Sequence, residues 1–247
     1  MRYQKEFVSL QRPKELTEEA AKQWDWLEEN IDQIVEDYKK KNGNQLNPDE
    51  ARNVFAAIGY DGSNVPQYRA LEKALVAQIY SEMLDEALAQ GKTKLVLLTG
   101  HGGAGKSTAT KNHKRIQELK REAGLVYDSA FNSFESLKKA IKTATEHGFK
   151  VEDITVISVY NDARTSFDNV MRRGVNTGRV LSIKYFLDGA FRDNAGKLSE
   201  LAEKYPQIEV IPINNAENNG GREESIEQAQ QWDYTVDDNI VNQILDI

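Results

Sequence analysis

Apolar side chains in the first third of the chain recur at helical spacing. They fall three or four residues apart between residues 17 and 38, and a second such stripe runs over residues 65–90. A short helix is predicted between the two, because residues 47–50 (NPDE) combine a capping Asn, a Pro at the first helical position and a Glu three residues after the cap. This part of the chain is therefore predicted to be a helical N-terminal segment.

Beyond Lys94 the pattern changes to short apolar runs separated by helical stretches. Such runs predict strands that are buried on both faces, over residues 95–99, 125–127, 154–160 and 208–213. Helices are predicted to connect them, over residues 106–122, 132–144, 164–173 and 181–205. Because strands alternate with helices, we expect an α/β fold with a parallel sheet and helices on both of its faces.

Composition narrows the classes of function. The 247 residues include no Cys and three His, which excludes disulfides, a thiol nucleophile and zinc-thiolate sites. No apolar run reaches the length of a membrane span, and the N-terminus lacks the pattern of a signal peptide. We therefore expect a cytoplasmic protein without a membrane partner, although export by a route that leaves no such signal stays open. The net charge of −7 disfavours nucleic acid as a partner and favours a small anionic ligand held by a few cations.

One motif carries the chemistry. The sequence GHGGAGKST at residues 100–108 contains the complete P-loop pattern, with an apolar run before it and a predicted helix after it. Glycines let backbone N–H groups turn toward phosphate oxygens, and the helix N-terminus adds partial positive charge. In this motif Lys106 reaches the β- and γ-phosphates of ATP and the Ser107 hydroxyl binds Mg²⁺. The predicted nucleotide-binding residues are Gly100, His101, Gly102, Gly103, Ala104, Gly105, Lys106, Ser107 and Thr108.

The remaining motifs favour a small kinase over other P-loop proteins. No Asn-Lys-x-Asp motif of a GTPase is present. Asp128 follows a predicted strand, where a carboxylate can take the proton of an acceptor hydroxyl, although a turn or cap residue is the alternative. Arg172, Arg173 and Arg179 flank a segment with a glycine at each end, which predicts a mobile lid that neutralises the transferring phosphoryl group. A solvated helix end is the alternative for Arg172 and Arg173.

Together these motifs resemble the zeta-toxin family of P-loop kinases. The resemblance rests on GHGGAGKST, on LVYDSAF around Asp128 and on VYNDARTSFDNVMRRGVNTGR, and it covers residues 71–213. It implies ATP-Mg²⁺ held by Lys106 and Ser107, Asp128 as general base, and lid arginines at Arg172 or Arg173 and at Arg179. Known zeta toxins phosphorylate the sugar of uridine diphosphate-N-acetylglucosamine, and related domains act on other nucleotide-like hydroxyls.

The sequence departs from the family pattern in three places that bear on the acceptor. Its arginines are closer together than is typical, His101 replaces the usual loop residue, and Asn214-Asn215 stands where Asp-Asn is expected.

The resulting hypothesis is a P-loop NTPase-type kinase domain at residues 64–247, with its core at 92–247, and a helical segment at residues 1–63. The expected partners are a nucleotide-like small-molecule acceptor and an antitoxin-like protein inhibitor, as in a toxin–antitoxin pair. Two alternatives remain at this stage: a polynucleotide or nucleoside kinase, and a non-catalytic module in which ATP gates an interaction made by the N-terminal helices.

Overall fold

The computed structural model describes residues 11–131, 133–177, 186, 196–216, 221–236 and 242. Its α-helices are α1 (Glu18–Asn42), α2 (Pro48–Arg52), α3 (Val65–Ala89), α4 (Lys106–Asn112), α5 (Lys114–Glu122), α6 (Phe134–His147), α7 (Ala163–Thr177), α8 (Lys197–Lys204) and α9 (Ile226–Ala229). Short 3-10 helices cover Asn53–Ile58 and Val151–Asp153. Its strands are β1 (Gln45–Leu46), β2 (Leu95–Thr99), β3 (Leu125–Asp128), β4 (Ile154–Tyr160), β5 (Glu209–Asn214) and β6 (Arg222–Glu223).

The strands form one sheet in the order β1-β3-β2-β4-β5-β6. All neighbouring pairs are parallel except β5 with β6, which is antiparallel. Every residue of β2 and β4 is buried, as the continuous apolar runs predict for central strands. The α/β fold with a mostly parallel sheet is therefore confirmed. Because β1 to β5 are parallel, their carboxyl ends lie at one edge, where ligands bind in such sheets.

Several elements differ from the sequence-based expectation. Strands β1 and β6 are two residues long and were not predicted, because two residues carry no periodicity. The single helix expected over residues 106–122 is two helices, since His113 between them has an extended backbone.

Helix α7 continues through Gly174 to Thr177, so these residues are helical, and their movement as a lid stays a prediction. One glycine inside a helix costs only about 1 kcal/mol, which the packing of an amphipathic helix readily offsets. The rest of the predicted lid, residues 178–179, and most of the helix predicted over residues 181–205 lie outside the described residues.

The N-terminal segment packs into the same hydrophobic cluster as the sheet. Trp24 and Leu27 of α1 belong to one buried cluster with strand residues Leu97 and Ile154. A buried ion pair adds a second connection, because Arg52 Nε donates to Glu72 Oε2 of α3 at 2.6 Å. The division at residues 63 and 64 stays a prediction, but the described residues on its two sides share a core. No helix among them combines the length and apolarity that a membrane crossing requires.

Candidate active site at the carboxyl edge of the sheet

The P-loop leaves β2 at the carboxyl edge and enters α4. Gly103 and Gly105 have φ values of 83° and 82°, in the left-handed region that glycine adopts without strain. A β-carbon at Gly103 would collide with the carbonyl oxygen of Ser166, and one at Gly105 would collide with the side-chain amide of Asn215. Residues from outside the loop therefore pack directly against its backbone, and glycine is the residue that fits at both positions.

Neighbouring side chains hold this loop in place. Asn169 Nδ2 donates to the carbonyl oxygen of Gly103 at 2.9 Å, and Asn215 Nδ2 donates to that of Ala104 at 3.1 Å. His101 Nε2 lies 2.8 Å from Ser166 Oγ. No sequence motif assigns Asn169 a role. Its spacing of three residues from Ser166 on one helix face is the signal that links the two.

His101 is buried between two aromatic rings. Its ring lies edge-on to Tyr160 and to Tyr234, each with a centroid distance of 6.2 Å. Burial, followed by the charges of Lys106 and Lys197, lowers the pKa of His101 to about 3. The imidazole is therefore neutral near pH 7, so it contributes hydrogen bonding and packing to the loop rather than positive charge.

Lys106 starts helix α4 and is half-buried. Its ammonium group donates to the carbonyl oxygen of Gly100 at 2.7 Å. Burial lowers the pKa of Lys106, while the carboxylates of Asp128 and Asp49 act in the opposite direction and Arg173 lowers it further. The first N–H groups of α4 have no acceptor within the helix, so together with Lys106 they form a positive cradle.

Asp128 ends β3, which lies directly beside β2. Its Oδ1 atom is buried and has no hydrogen-bond partner. Burial raises the pKa of Asp128, whereas Lys106 and Lys120 lower it. An unpartnered carboxylate oxygen near the P-loop lysine is what a general base needs before its substrate arrives.

The predicted arginines occupy different positions. Arg172 and Arg173 are exposed on α7, and Arg173 lies close enough to Lys106 to lower its pKa, behind the larger effect of burial. The structure thus brings Arg173 toward the P-loop and shows Arg172 only as an exposed helical residue. Arg179 lies outside the described residues.

Lys197 is a buried residue at this edge that sequence reasoning missed. Its ammonium group donates to Thr99 Oγ1 at 3.0 Å and to the carbonyl oxygen of Phe131 at 3.0 Å. It therefore joins the strand before the P-loop to the segment that follows Asp128. Phe131 has a φ of 38°, the one positive φ of a non-glycine residue in the described part of the chain. A lysine on a polar helix gives no sequence signal of such burial.

Replacing Lys197 by methionine is expected to change how stability depends on pH. Burial, followed by the charge of Lys106, lowers the pKa of Lys197 from 10.5 to about 7. Between these values the unfolded chain binds more protons than the folded one, so the free energy of unfolding rises with pH. Lys197→Met should reduce that slope by up to about 1.4 kcal/mol per pH unit. Urea unfolding at pH 7, 8 and 9 gives the free energies of unfolding from which this slope is obtained.

Lys150→Met is the matched control, because Lys150 is exposed and should leave the slope unchanged. Equal slopes for the parent and Lys197→Met would contradict the prediction.

The donor set fits a nucleoside triphosphate with Mg²⁺. The cradle is made of glycines, helix N–H groups and one lysine, which suits phosphate oxygens. Within the described residues, no three His, Asp or Glu side chains cluster as a metal site made by protein ligands alone would need. Mg²⁺ at a P-loop is instead held by few protein oxygens together with phosphates and water. The exposed Ser107 is the residue at the motif position that supplies one of them.

A parallel sheet that carries a complete P-loop between a buried strand and a helix defines a P-loop protein of the NTPase class. The model of the zeta toxin family matches residues 116–224, which confirms the family resemblance that the sequence predicts. The matched segment contains Asp128 and helix α7 and begins after the P-loop, so the nucleotide loop rests on its own motif and geometry. No curated protein matched the chain in the sequence comparison.

Proposed function

We propose that this protein is an ATP-dependent small-molecule kinase of the zeta-toxin type, which transfers the γ-phosphoryl group to a hydroxyl of a nucleotide-sugar or another nucleotide-like acceptor. The observation that carries the proposal is that Lys106 and Asp128 lie at the same edge of the sheet, beyond the neighbouring strands β2 and β3. Each is buried enough to have its pKa shifted by desolvation, and each is near enough to influence the pKa of the other. A phosphate-binding cation and a carboxylate with an open oxygen are the two groups that kinase chemistry requires side by side.

The P-loop residues would bind the phosphoryl donor. The Lys106 ammonium group would leave the Gly100 carbonyl and bind the β- and γ-phosphates instead. The first N–H groups of α4 would donate to phosphate oxygens. Ser107 and the neighbouring Thr108 provide hydroxyls at the metal side of the loop. When bound, Mg²⁺ neutralises charge on the phosphates.

Asp128 would act on the acceptor. Its carboxylate accepts the proton of the acceptor hydroxyl as that oxygen forms a bond to the γ-phosphorus atom. The bond from that phosphorus to its bridging oxygen breaks, the electron pair stays on the oxygen, and the nucleoside diphosphate leaves. Arg173 is the described arginine best placed to balance charge near the phosphates, and Arg172 and Arg179 stay predictions for the same task.

The wider biological role follows the family. A toxin restrained by an antitoxin-like inhibitor in the cytoplasm is proposed from the family match alone. The acidic net charge favours a small acceptor over a long nucleic acid.

An acceptor screen tests the kinase proposal. The full chain is incubated with ATP, Mg²⁺ and, in separate reactions, nucleotide sugars, dinucleotides, nucleosides or oligonucleotides. Mass spectrometry is expected to show the gain of one phosphate on a nucleotide-sugar or a related nucleotide, over many turnovers. An oligonucleotide or nucleoside as the best acceptor would favour the polynucleotide or nucleoside kinase instead. Binding of ATP with no turnover on any acceptor would favour the ATP-gated interaction module and overturn the proposal.

A further inference from the structure

Strand β1 brings the N-terminal segment to the catalytic edge. It pairs in parallel with β3, with Gln45 opposite Val126 and Leu46 opposite Tyr127. Asn47 directly follows β1 and Asp128 is the last residue of β3, so the two residues are adjacent at the carboxyl edge of the sheet. A residue from the predicted helical segment is thus a neighbour of the proposed base, which no sequence motif indicates.

The orientation of the Asn47 amide follows from its other contacts. Its Oδ1 caps α2, because it accepts from the N–H of Asp49 at 2.9 Å and from that of Glu50 at 3.4 Å. Its own N–H donates to Tyr38 Oη at 2.8 Å. Since the helix uses the oxygen, the NH₂ end is left to donate to another group, and Asp128 lies at the adjacent position in the register.

Charged groups from several elements surround this pair. Burial is the largest effect on Asp128 and raises its pKa, whereas Lys106 of α4, Lys120 of α5 and the hydrogen bond from Asn47 lower it, and Asp49 of α2 raises it. From α1, the Tyr38 hydroxyl lies near the same carboxylate: burial raises its pKa first, and Asp128 adds to that increase. The Tyr38 hydroxyl donates to the carbonyl oxygens of Gln45 and Asn47, which leaves the Asn47 amide as the uncharged donor available to Asp128.

We propose that Asn47 is a positioning residue for Asp128: its amide group donates the hydrogen bond that orients the carboxylate toward the acceptor hydroxyl. The inference rests on the proposed function for the role of Asp128 as the base. The competing explanation is that Asn47 only caps α2. A substitution that keeps the cap but removes the amide distinguishes the two roles.

The decisive variant is Asn47→Asp in the full chain. Asp caps helices as well as Asn does, so helix α2 should stay capped, and any loss of stability should be confined to pH values at which both carboxylates are ionised. The substitution replaces the NH₂ donor by a second carboxylate oxygen beside Asp128, and two carboxylates that share a site cannot ionise independently. The apparent pKa of Asp128 should rise by about one unit or more. A ¹³C NMR titration of the side-chain carboxyl groups, assigned with Asp128→Asn, measures it without any ligand.

Catalysis gives the second readout. With ATP-Mg²⁺ and uridine diphosphate-N-acetylglucosamine, or the acceptor that the screen returns, Asn47→Asp should lower kcat by roughly tenfold or more, a part of the ~10²–10⁴-fold that a general base supplies. The acidic limb of its pH profile should move to higher pH. The NMR titration needs no turnover. It therefore tests whether Asn47 acts on Asp128 even where the acceptor screen returns no acceptor.

Two further variants complete the test. Thr17→Asp is the matched control, since Thr17 caps the opposite end of α1 through a hydrogen bond from the N–H of Ala20 at 3.2 Å. It should leave the titration of Asp128 and the pH profile at parental values. Asn47→Ser keeps a neutral capping oxygen and removes the amide, so it should also lower kcat. If Asn47→Asp fails to fold, the kcat of Asn47→Ser tests the positioning role of Asn47. Parental titration and parental kcat in the Asn47 variants would overturn the proposal.

Discussion

Replacing Lys106 by alanine is expected to reduce phosphoryl transfer by about 10²–10³-fold or more, because one preorganised donor to developing charge contributes on that scale. The loss should appear in both kcat and the affinity for ATP, since this lysine would contact the phosphates in the ground state and in the transition state. The fold should persist, because Lys106 is half-buried and, within the described residues, its side chain donates one hydrogen bond, to the Gly100 carbonyl. Steady-state kinetics together with ATP titration calorimetry measure the two effects.

Lys111→Ala is the matched control for this prediction. Lys111 lies on the same helix, one turn and a half further along, and its side chain is exposed. It should keep parental kinetics and a parental unfolding midpoint. A Lys106→Ala enzyme that phosphorylates its acceptor at the parental rate would show that the P-loop is not the donor site.

Replacing Asp128 by asparagine is expected to lower kcat by about 10²–10⁴-fold with little change in ATP affinity. Asparagine has nearly the same shape but cannot accept the hydroxyl proton. The free energy of unfolding should not decrease. Burial raises the pKa of Asp128, so the ionised carboxylate destabilises the folded chain. As the pH rises from the unfolded value through the raised folded value, this effect lowers the parent's stability, and Asp128→Asn removes it.

Kinetics and urea unfolding at pH 7 test both parts of this expectation. Asp153→Asn serves as the control, because Asp153 precedes β4 and lies at the amino end of that strand, away from the catalytic edge. A change in kcat below about threefold for Asp128→Asn would leave Asp128 as a turn residue and return the search for the base to the other carboxylates of this edge, Asp49 first.

Local chemistry accounts for what the sequence alone determined. The run at residues 95–99 followed by GHGGAGKST predicts a buried strand, a phosphate loop and a helix, and the structure has these three elements at those positions. The strand at residues 154–160 was predicted to the residue, because a fully buried central strand is a nearly continuous run of apolar and β-branched residues. The position of Asp128 at a strand end was also predictable, since it follows such a run directly.

Only the tertiary structure decided which distant residues meet at the catalytic edge. Asn47 reaches Asp128 through the pairing of β1 with β3, and Lys197 reaches Thr99 across about a hundred residues of chain. Neither contact leaves a periodic signal, because a two-residue strand has no pattern and a single lysine in a polar helix looks solvated until packing buries it. Sequence patterns report which face of one element is apolar. The order of strands in the sheet determines which polar groups share its edge, and therefore how the proposed base is held.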